Sequence, residues 1–413
     1  MTSEDDITRT ADRLSAALGA AADLMVVPDA PALRAERHFK PAKGWLLPLT
    51  AAASVVVIAL VAVFVTHQAS PARTPGGTQA ATQAPLPEFY MTASYASTGP
   101  NDLYFQVRRT AGGAVTDSMS ISAAHLGWGG YLTAAAGDRD FYFAHYPYCT
   151  KAATVTTFSR ITITSSGRIS SFTAVGRPVP GMVTDFAVSP DGSQMAYNAL
   201  AAGCPSGPGT LPAMTGDIQI MNLSTGATRT WQNTAAQTRT TAVSALSWAA
   251  DGRTLVIDED SLGGGRSEPT VYRLDTASSG GSLQGDSTTL LRQNSSCSTC
   301  VSLAVAGPGD SITALESQTG GQHPRVLVVS IPAAAGSPRT VLYREPDDSA
   351  NPVLTGSMGL FADPSGQWVM LWPTGAASDQ QGRSLVAPGG WISGGRLHPL
   401  PGTALVFPQG IAW

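Results

Sequence analysis

The sequence predicts an all-β fold: a six-bladed β-propeller of four-stranded blades, closed on its first blade by the C-terminal strand and preceded by one transmembrane helix and a short cytosolic tail. Three observations carry this reading. First, an apolar strand, a tight turn ending in glycine and a second apolar strand recur as YLTAAAGDRDFYF, DFAVSPDGSQMAY, ALSWAADGRTLVI, SLAVAGPGDSITAL and GLFADPSGQWVMLW. The turn glycines Gly137, Gly192, Gly252, Gly309 and Gly366 are 55, 60, 57 and 57 residues apart. Second, another Gly-containing turn keeps step with the first: Gly113, Gly167, Gly226, Gly281, Gly336 and Gly395 are separated by 54, 59, 55, 55 and 59 residues. Two hairpins sharing one period define a four-stranded unit, strands a to d, and radial repetition of such units is a propeller. Third, the two ends are complementary. The first unit opens on FYMTASY, which behaves as strand b, with LYFQVRR as c and AVTDSMSIS as d; the chain ends in GIAW, similar to the ALSW of a later a strand. The last residues therefore supply the missing strand, which closes the ring and removes an open sheet edge.

The elements follow in chain order. Residues 1–43 form the cytosolic tail, with a short amphipathic helix from Ser3 to about Val26. Ser3 caps it, Glu4, Asp5 and Asp6 suit its N-terminal dipole, and Ile7, Ala11, Leu14, Leu18 and Ala21 share one face. Residues 44–66 form the membrane helix. From Trp45 to Val65 run 21 residues without a charge, which span about 31 Å as a helix, the thickness of a bilayer core. Pro48 falls in the first turn, where a missing N–H costs little. Arg34, Arg37, Lys40 and Lys43 precede the segment and the next charge after it is Arg73, so the N-terminus stays cytoplasmic and the C-terminal mass is exported. The 44 residues before the apolar run are too many for the charged leader of a cleaved signal peptide. Residues 67–87, HQASPARTPGGTQAATQAPLP, make a solvated spacer. Residues 88–413 form the extracytoplasmic propeller.

Composition excludes several functions. The 413 residues include 43 Gly and 29 Pro, are 43% hydrophobic and only 13% charged. That is too turn-rich for a helical bundle and too apolar for a disordered chain. Net charge is −4 and lysine occurs only at Lys40, Lys43 and Lys151, so no basic face exists to neutralise a nucleic-acid backbone.

The SPDG of Ser189 to Gly192, with its cousins AADG and PSG, resembles the repeat of TolB-like propellers, and is distinct from the tryptophan-aspartate repeat with its shorter blade. The whole plan of tail, anchor, Pro/Thr linker, LSWAADGRTL and terminal GIAW is similar to membrane-anchored propeller proteins of high-GC Gram-positive bacteria. The resemblance implies address and fold. TolB-like proteins act mostly as interaction platforms, so it also implies binding in place of catalysis.

No catalytic residue is assigned. G-x-S-x-G, HExxH and GxxxxGK[ST] are absent, and the histidines after the anchor, His125, His145, His323 and His398, are scattered along the chain. Neither a metal nor a cofactor is expected: the inner strands DFAV, ALSW, SLAV and GLFA carry Asp185 as their only carboxylate, and Asp258, Glu259 and Asp260 read as a solvated strand end. Cys149 and Cys204 each follow a turn glycine by 12 residues, which places them in equivalent b-to-c connections of neighbouring blades and predicts a disulfide between them. Cys297 and Cys300 lie in the crossing between two blades and are read as a local disulfide, with a redox-active C-x-x-C as the alternative.

In a propeller the b-to-c and d-to-a connections share one face. The long insertions Tyr146 to Ala153, Leu200 to Thr215, Ser261 to Glu268 and Pro373 to Gly382 all fall there, and His145, Tyr146 and Tyr148 give it amphipathic aromatics as candidate binding residues. The expected function is a membrane-anchored binding or sensory module of the cell envelope. Its expected partners are an envelope protein or small ligand on the loop-rich face, the bilayer through the anchor, and a cytosolic partner for the N-terminal helix. The alternative is a lactonase-like hydrolase working in the propeller channel.

Overall fold

The computed structural model describes residues 85–413 except 96–101, 123–129, 146–154, 201–215, 235–240, 264–265, 294–298, 319–324, 335–336, 346–357, 374–376, 379–383, 386–388 and 401–409. All of these described residues belong to the compact unit Ala80–Trp413. The expected tail, the 44–66 segment and most of the linker lie outside them. Among the described residues no helix is long and apolar enough to cross a membrane.

Six antiparallel blades follow one another. Blade 1 contains β1 (Phe89–Tyr95), β2 (Asp102–Arg109) and β3 (Val115–Ser122). Blade 2 contains β4 (Gly130–Ala134), β5 (Asp140–His145), β6 (Val155–Ile163) and β7 (Ile169–Pro180). Blade 3 contains β8 (Met182–Val188), β9 (Gln194–Leu200), β10 (Ile218–Asn222) and β11 (Thr228–Gln232). Blade 4 is built from β12 (Thr241–Trp248), β13 (Thr254–Gly263), β14 (Arg266–Asp275) and β16 (Ser287–Arg292), with β15 (Gly281–Ser282) and the one-turn helix α1 (Leu283–Asp286) inserted before β16. Blade 5 contains β17 (Thr299–Ala306), β18 (Ser311–Gln318), β19 (Arg325–Pro332) and β20 (Thr340–Arg344). Blade 6 contains β21 (Met358–Ala362), β22 (Val369–Pro373), β25 (Gly390–Ser393) and β26 (Arg396–Pro399), with the small hairpin of β23 (Ala377–Ser378) and β24 (Ser384–Leu385) between β22 and β25. The chain ends on β27 (Gly410–Ala412).

The closure is as the sequence predicts. β27 pairs antiparallel with β1, setting Ala412 against Met91 and Gly410 against Ala93, and so completes the first blade. The turn glycines also take the expected conformation, with positive φ at Gly137, Gly192, Gly252, Gly309 and Gly366. In the SPDG turn the Asp191 carboxylate accepts the Ser193 N–H and the hydroxyls of Ser189 and Ser193, and this local bonding fixes the reversal.

The core lies between the blades. Hydrophobic clusters occupy each seam in turn: Phe105 with Phe143 between blades 1 and 2, Phe158 with Tyr197 between 2 and 3, and Trp231 with Leu255 between 3 and 4. Val256 with Val305's neighbours Ala304 and Ala306 fills the next seam, Val328 with Leu371 the one after, and Tyr90, Trp368, Trp372 and Trp413 the last. Because each blade is covered on both faces, strands such as β5 are buried along their length and do not alternate.

One expected hairpin is different. The segment YRLDTASSGGSLQG does not turn directly from c to d in blade 4. Its Gly281–Ser282 step crosses to blade 3 and pairs parallel with β11, adding a fifth strand to that sheet. Leu283 is then buried beside Trp231, Arg229 stacks on Trp231, and the Arg229 guanidinium donates to the carbonyls of Thr276 and Ser278. The crossing covers an outer strand that would otherwise expose unpaired backbone. Elsewhere the outer strand of one blade meets the c–d turn of the next through lighter contacts: Ile169 N–H donates to Asp117, and Tyr343 forms a parallel bridge to Gly395.

Candidate functional site

The connections divide the propeller into two unlike faces. On one face the a–b and c–d turns are tight apart from the 276–286 crossing of blade 4: 135–139, 189–193, 249–253 and 164–168 suffice to reverse the chain. On the other, strands are joined by 146–154, 201–217, 233–240, 345–357 and 400–409. Of the expected insertions, Ser261 to Glu268 is not a loop. Strands β13 and β14 continue through it, pairing Ser261 with Glu268 and Gly263 with Arg266, so the hairpin extends beyond its neighbours. Pro373 to Gly382 likewise carries β23 and its pairing to β24.

At the long-loop end, the inner strands of blades 3, 4 and 5 share a feature the sequence reading missed. Each has a register shift against its neighbour at the same place: between Val183 and Asp185, between Val243 and Ala245, and between Val301 and Leu303. The extra residue is Thr184, Ser244 or Ser302, a small hydroxyl each time. The signal was present as a repeated Val-Thr or Val-Ser before the apolar run, and such bulges re-aim the side chains around them.

Thr184 begins a polar line under the long connections. Its hydroxyl donates to Asn198 Oδ1 (2.9 Å), the Asn198 amide donates to the Asp217 carbonyl (2.9 Å), and Asp217 Oδ1 accepts the Asn233 N–H (2.9 Å). Asn233 Nδ2 then donates to Glu259 in blade 4, while Gln284 from α1 donates to Asn233 Oδ1 (2.6 Å). Burial raises the Glu259 pKa, opposed by the Asn233 hydrogen bond and by Arg292.

Two carboxyls tie this arc of blades together. Asp185 Oδ2 accepts the Leu246 N–H at 2.5 Å, and its Oδ1 accepts the Phe186 N–H. Asp258 Oδ2 accepts the Ala304 N–H at 2.8 Å, while its Oδ1 is buried without a hydrogen-bond partner. Asp258 is 1% exposed and Glu259 4%, so the acidic run is not a solvated strand end; it sits in mid-strand, with Asp258 turned into the seam towards blade 5. Desolvation pushes Asp185 up to about 8 against its two N–H donors, with the Asp258 charge adding to the rise. Desolvation pushes Asp258 up to about 7, helped by Asp260 and Glu259. Among the described residues no group of three His, Cys, Asp or Glu is arranged to hold a metal.

Of the predicted binding residues the structure describes His145. His145 ends β5, stacks on Phe143 at 5.8 Å and bonds through its ring to the Thr157 hydroxyl, a packing role at the rim. Tyr146 and Tyr148 lie outside the described residues, as do His125, His323, Cys149, Cys204 and Cys297. His398 stacks on Trp391 at 5.1 Å on the outer part of blade 6. No described cysteine is free, and Cys300, at the start of β17, is disulfide-bonded. The identity of its partner falls outside the described residues.

No family model matches the chain, and no curated protein matches it in sequence. Solved structures do resemble it. The hydrazine synthase of Kuenenia stuttgartiensis is 15% identical with a TM-score of 0.40, over 73% of this chain and 78% of that one. A point mutant of the Synechocystis apocarotenoid oxygenase is 11% identical with a TM-score of 0.38, over 75% and 72%. The dipeptidyl peptidase 4 of Porphyromonas gingivalis is 10% identical with a TM-score of 0.33, over 73% and 52%. At such identities and scores, none of their activities is carried to this chain.

Proposed function

We propose that this chain is a binding module of the cell envelope, held to the membrane by residues 44–66 and engaging a partner through the long-loop face of its propeller. The observation that supports it most is the inequality of the two faces. Apart from the 276–286 crossing of blade 4, tight turns close one end, while most of the long connections lie at the other, where a rigid scaffold presents binding residues, although Gly181 alone joins β7 to β8 there. The polar line from Thr184 to Glu259 lies beneath that same end and gives the connections of blades 3 and 4 a hydrogen-bonded base. The TolB-like resemblance of the SPDG and AADG turns favours the same reading. Within it, Cys149 and Cys204 staple the connections of blades 2 and 3, and Cys297 pairs with Cys300.

The test is cross-linking of the full chain in native membranes, beside a variant in which 146–154 and 201–215 are replaced by short Asn-Gly turns. A binding module loses its captured envelope partner when the loops are shortened while its unfolding midpoint is kept. Capture that is unchanged by shortening contradicts the assignment of the face. A channel hydrolase would instead show turnover in a lactone and ester screen, abolished by Asp185→Asn.

A further inference from the structure

The ring has its shortest inner pairing at the point where it closes. β27 meets β1 over Gly410–Ala412 alone, whereas the inner strands of blades 2 to 6 pair with their neighbours over five residues or more. So short a ladder holds two chain segments weakly, and terminal strands open first unless other contacts tie them down. Residues 85–89, the last of the Pro-rich spacer and the first of β1, lie across that same seam.

They reach three blades at the tight-turn end. In blade 6, Trp368 lies just before β22, and its indole N–H donates to the Pro85 carbonyl (3.2 Å). Leu86, half-buried, packs on the cluster that contains Tyr90, Trp368, Ile411 and Trp413. In blade 1, the Glu88 carbonyl accepts the Thr110 N–H (2.9 Å) and the Glu88 carboxylate pairs with Arg109 (3.0 Å). In blade 2, the same carboxylate pairs with Arg139 (2.9 Å), while the Asp138 carboxylate accepts the N–H groups of Glu88 and Phe89. Asp138 does so from a left-handed φ of 49°, the one non-glycine with positive φ among the described residues, a strain that persists only where surrounding contacts enforce it. The guanidiniums of Arg109 and Arg139 cover the buried Phe89 ring, 5.3 and 4.7 Å from its centre. The ion pairs are partly exposed and contribute little by themselves. The apolar seat of Leu86, the Trp368 bond and the two N–H groups held by Asp138 carry the attachment.

We propose that residues 85–89 are a second clasp of the ring, acting with β27, so that closure of the seam between blades 6 and 1 is coupled to the seating of the spacer's last residues. Leu86 shares one cluster with Ile411 and Trp413, so release of the strap uncovers the side chains that hold the closing strand, and the seam opens as a unit. The strap joins the ring on the tight-turn face, opposite the long connections. The clasp belongs to the ring itself and stands whether or not the long-loop face binds a partner.

Hydrogen exchange of the full chain in mild detergent tests this. In the natural chain under rising, sub-denaturing urea, peptides covering the strap and peptides covering β27 should lose protection in one shared opening, at lower urea than peptides covering β12 and β13. A strap that loses protection while β27 stays protected overturns the coupling. The double variant Leu86→Ala, Trp368→Phe removes the apolar seat and the indole N–H but keeps an aromatic ring at 368. Exchange at β27 should then quicken about tenfold or more, and at β12 and β13 by less than about twofold. Equal acceleration in every blade overturns the proposal, because the loss is then global, and so does unchanged exchange at β27. The urea comparison needs no variant and decides the matter even where the double variant does not fold.

Discussion

Removing Trp413 examines whether β27 holds the ring or merely decorates it. Ile411 and Trp413 are 1% and 3% exposed, although β27 pairs over only Gly410–Ala412 and Trp413 follows it. Truncating a buried Trp to Ala costs roughly 3–5 kcal/mol in cores. The Trp413 indole N–H is buried without an acceptor, a desolvation cost of about 1–3 kcal/mol that disappears with the ring. The net loss expected for Trp413→Ala is therefore about 2 kcal/mol. Trp413→Phe keeps one aromatic ring and drops the orphan donor at the cost of a small cavity, so it should cost less than Trp413→Ala. Deleting 410–413 also removes Ile411, worth a further roughly 2 kcal/mol, together with the ladder on β1, and approaches the whole net stability of a domain. The assay is urea unfolding followed by far-UV circular dichroism. A Trp413→Ala midpoint equal to that of the natural chain, or a soluble, cooperatively folding 410–413 deletion, would show that β27 does not hold the ring.

Four further outcomes follow from the same structure. Asp185 has its folded pKa raised, so its contribution is complete below about pH 4 and is lost as pH rises towards 8; Asp185→Asn should flatten the stability profile and be more stable than the natural chain at pH 8.5, measured as urea midpoints at pH 5, 7 and 8.5. Gly167 and Gly137 both have positive φ, but a Cβ at Gly167 meets Phe89 at 2.3 Å whereas at Gly137 it meets nothing within 4 Å; Gly137→Ala should cost about 1–2 kcal/mol and Gly167→Ala clearly more, by thermal unfolding. Arg339→Ala strands the buried Glu316 carboxylate and should cost about 1–3 kcal/mol, most of which the additional Glu316→Gln change restores. The proposed Cys149–Cys204 cross-link would close a long loop worth about 4 kcal/mol, so on that proposal reduction should lower the unfolding midpoint and Cys149→Ser should reproduce the greater part of the loss.

Much of the fold is legible because the repeat is local. A hairpin turn needs a positive φ, glycine supplies it, and so Gly192 or Gly252 announces its turn without knowledge of the rest of the chain. Ring closure is legible for the same reason, since GIAW repeats the pattern of an inner strand whose place is vacant at the N-terminus. What escaped depends on contacts between blades. Gly281 keeps the period, yet its segment is drawn to the outer edge of blade 3 by the pocket that accepts Leu283 beside Trp231, a preference no local pattern contains. Three successive acids, Asp258 to Asp260, read as solvated because burial of unpaired charge is costly; the structure buries two of them, Asp258 against the Ala304 N–H and Glu259 against the Asn233 amide. The candidate site was legible as a face and not as residues: the long connections mark it, while Thr184, Ser244 and Ser302 gain meaning only once their register shifts align.

The central claim, that the long-loop face is the working surface, is tested most directly by blocking each face in turn. Glycosylation sequons or bulky charged residues are placed at the tight-turn tips around Gly112, Gly137 and Gly394, where added atoms meet open space, and separately within 146–154 and 201–215. Partner capture from native membranes is then compared at matched folding. Capture is expected to be retained in the first set and lost in the second. Loss from the tight-turn set with retention in the long-loop set would contradict it.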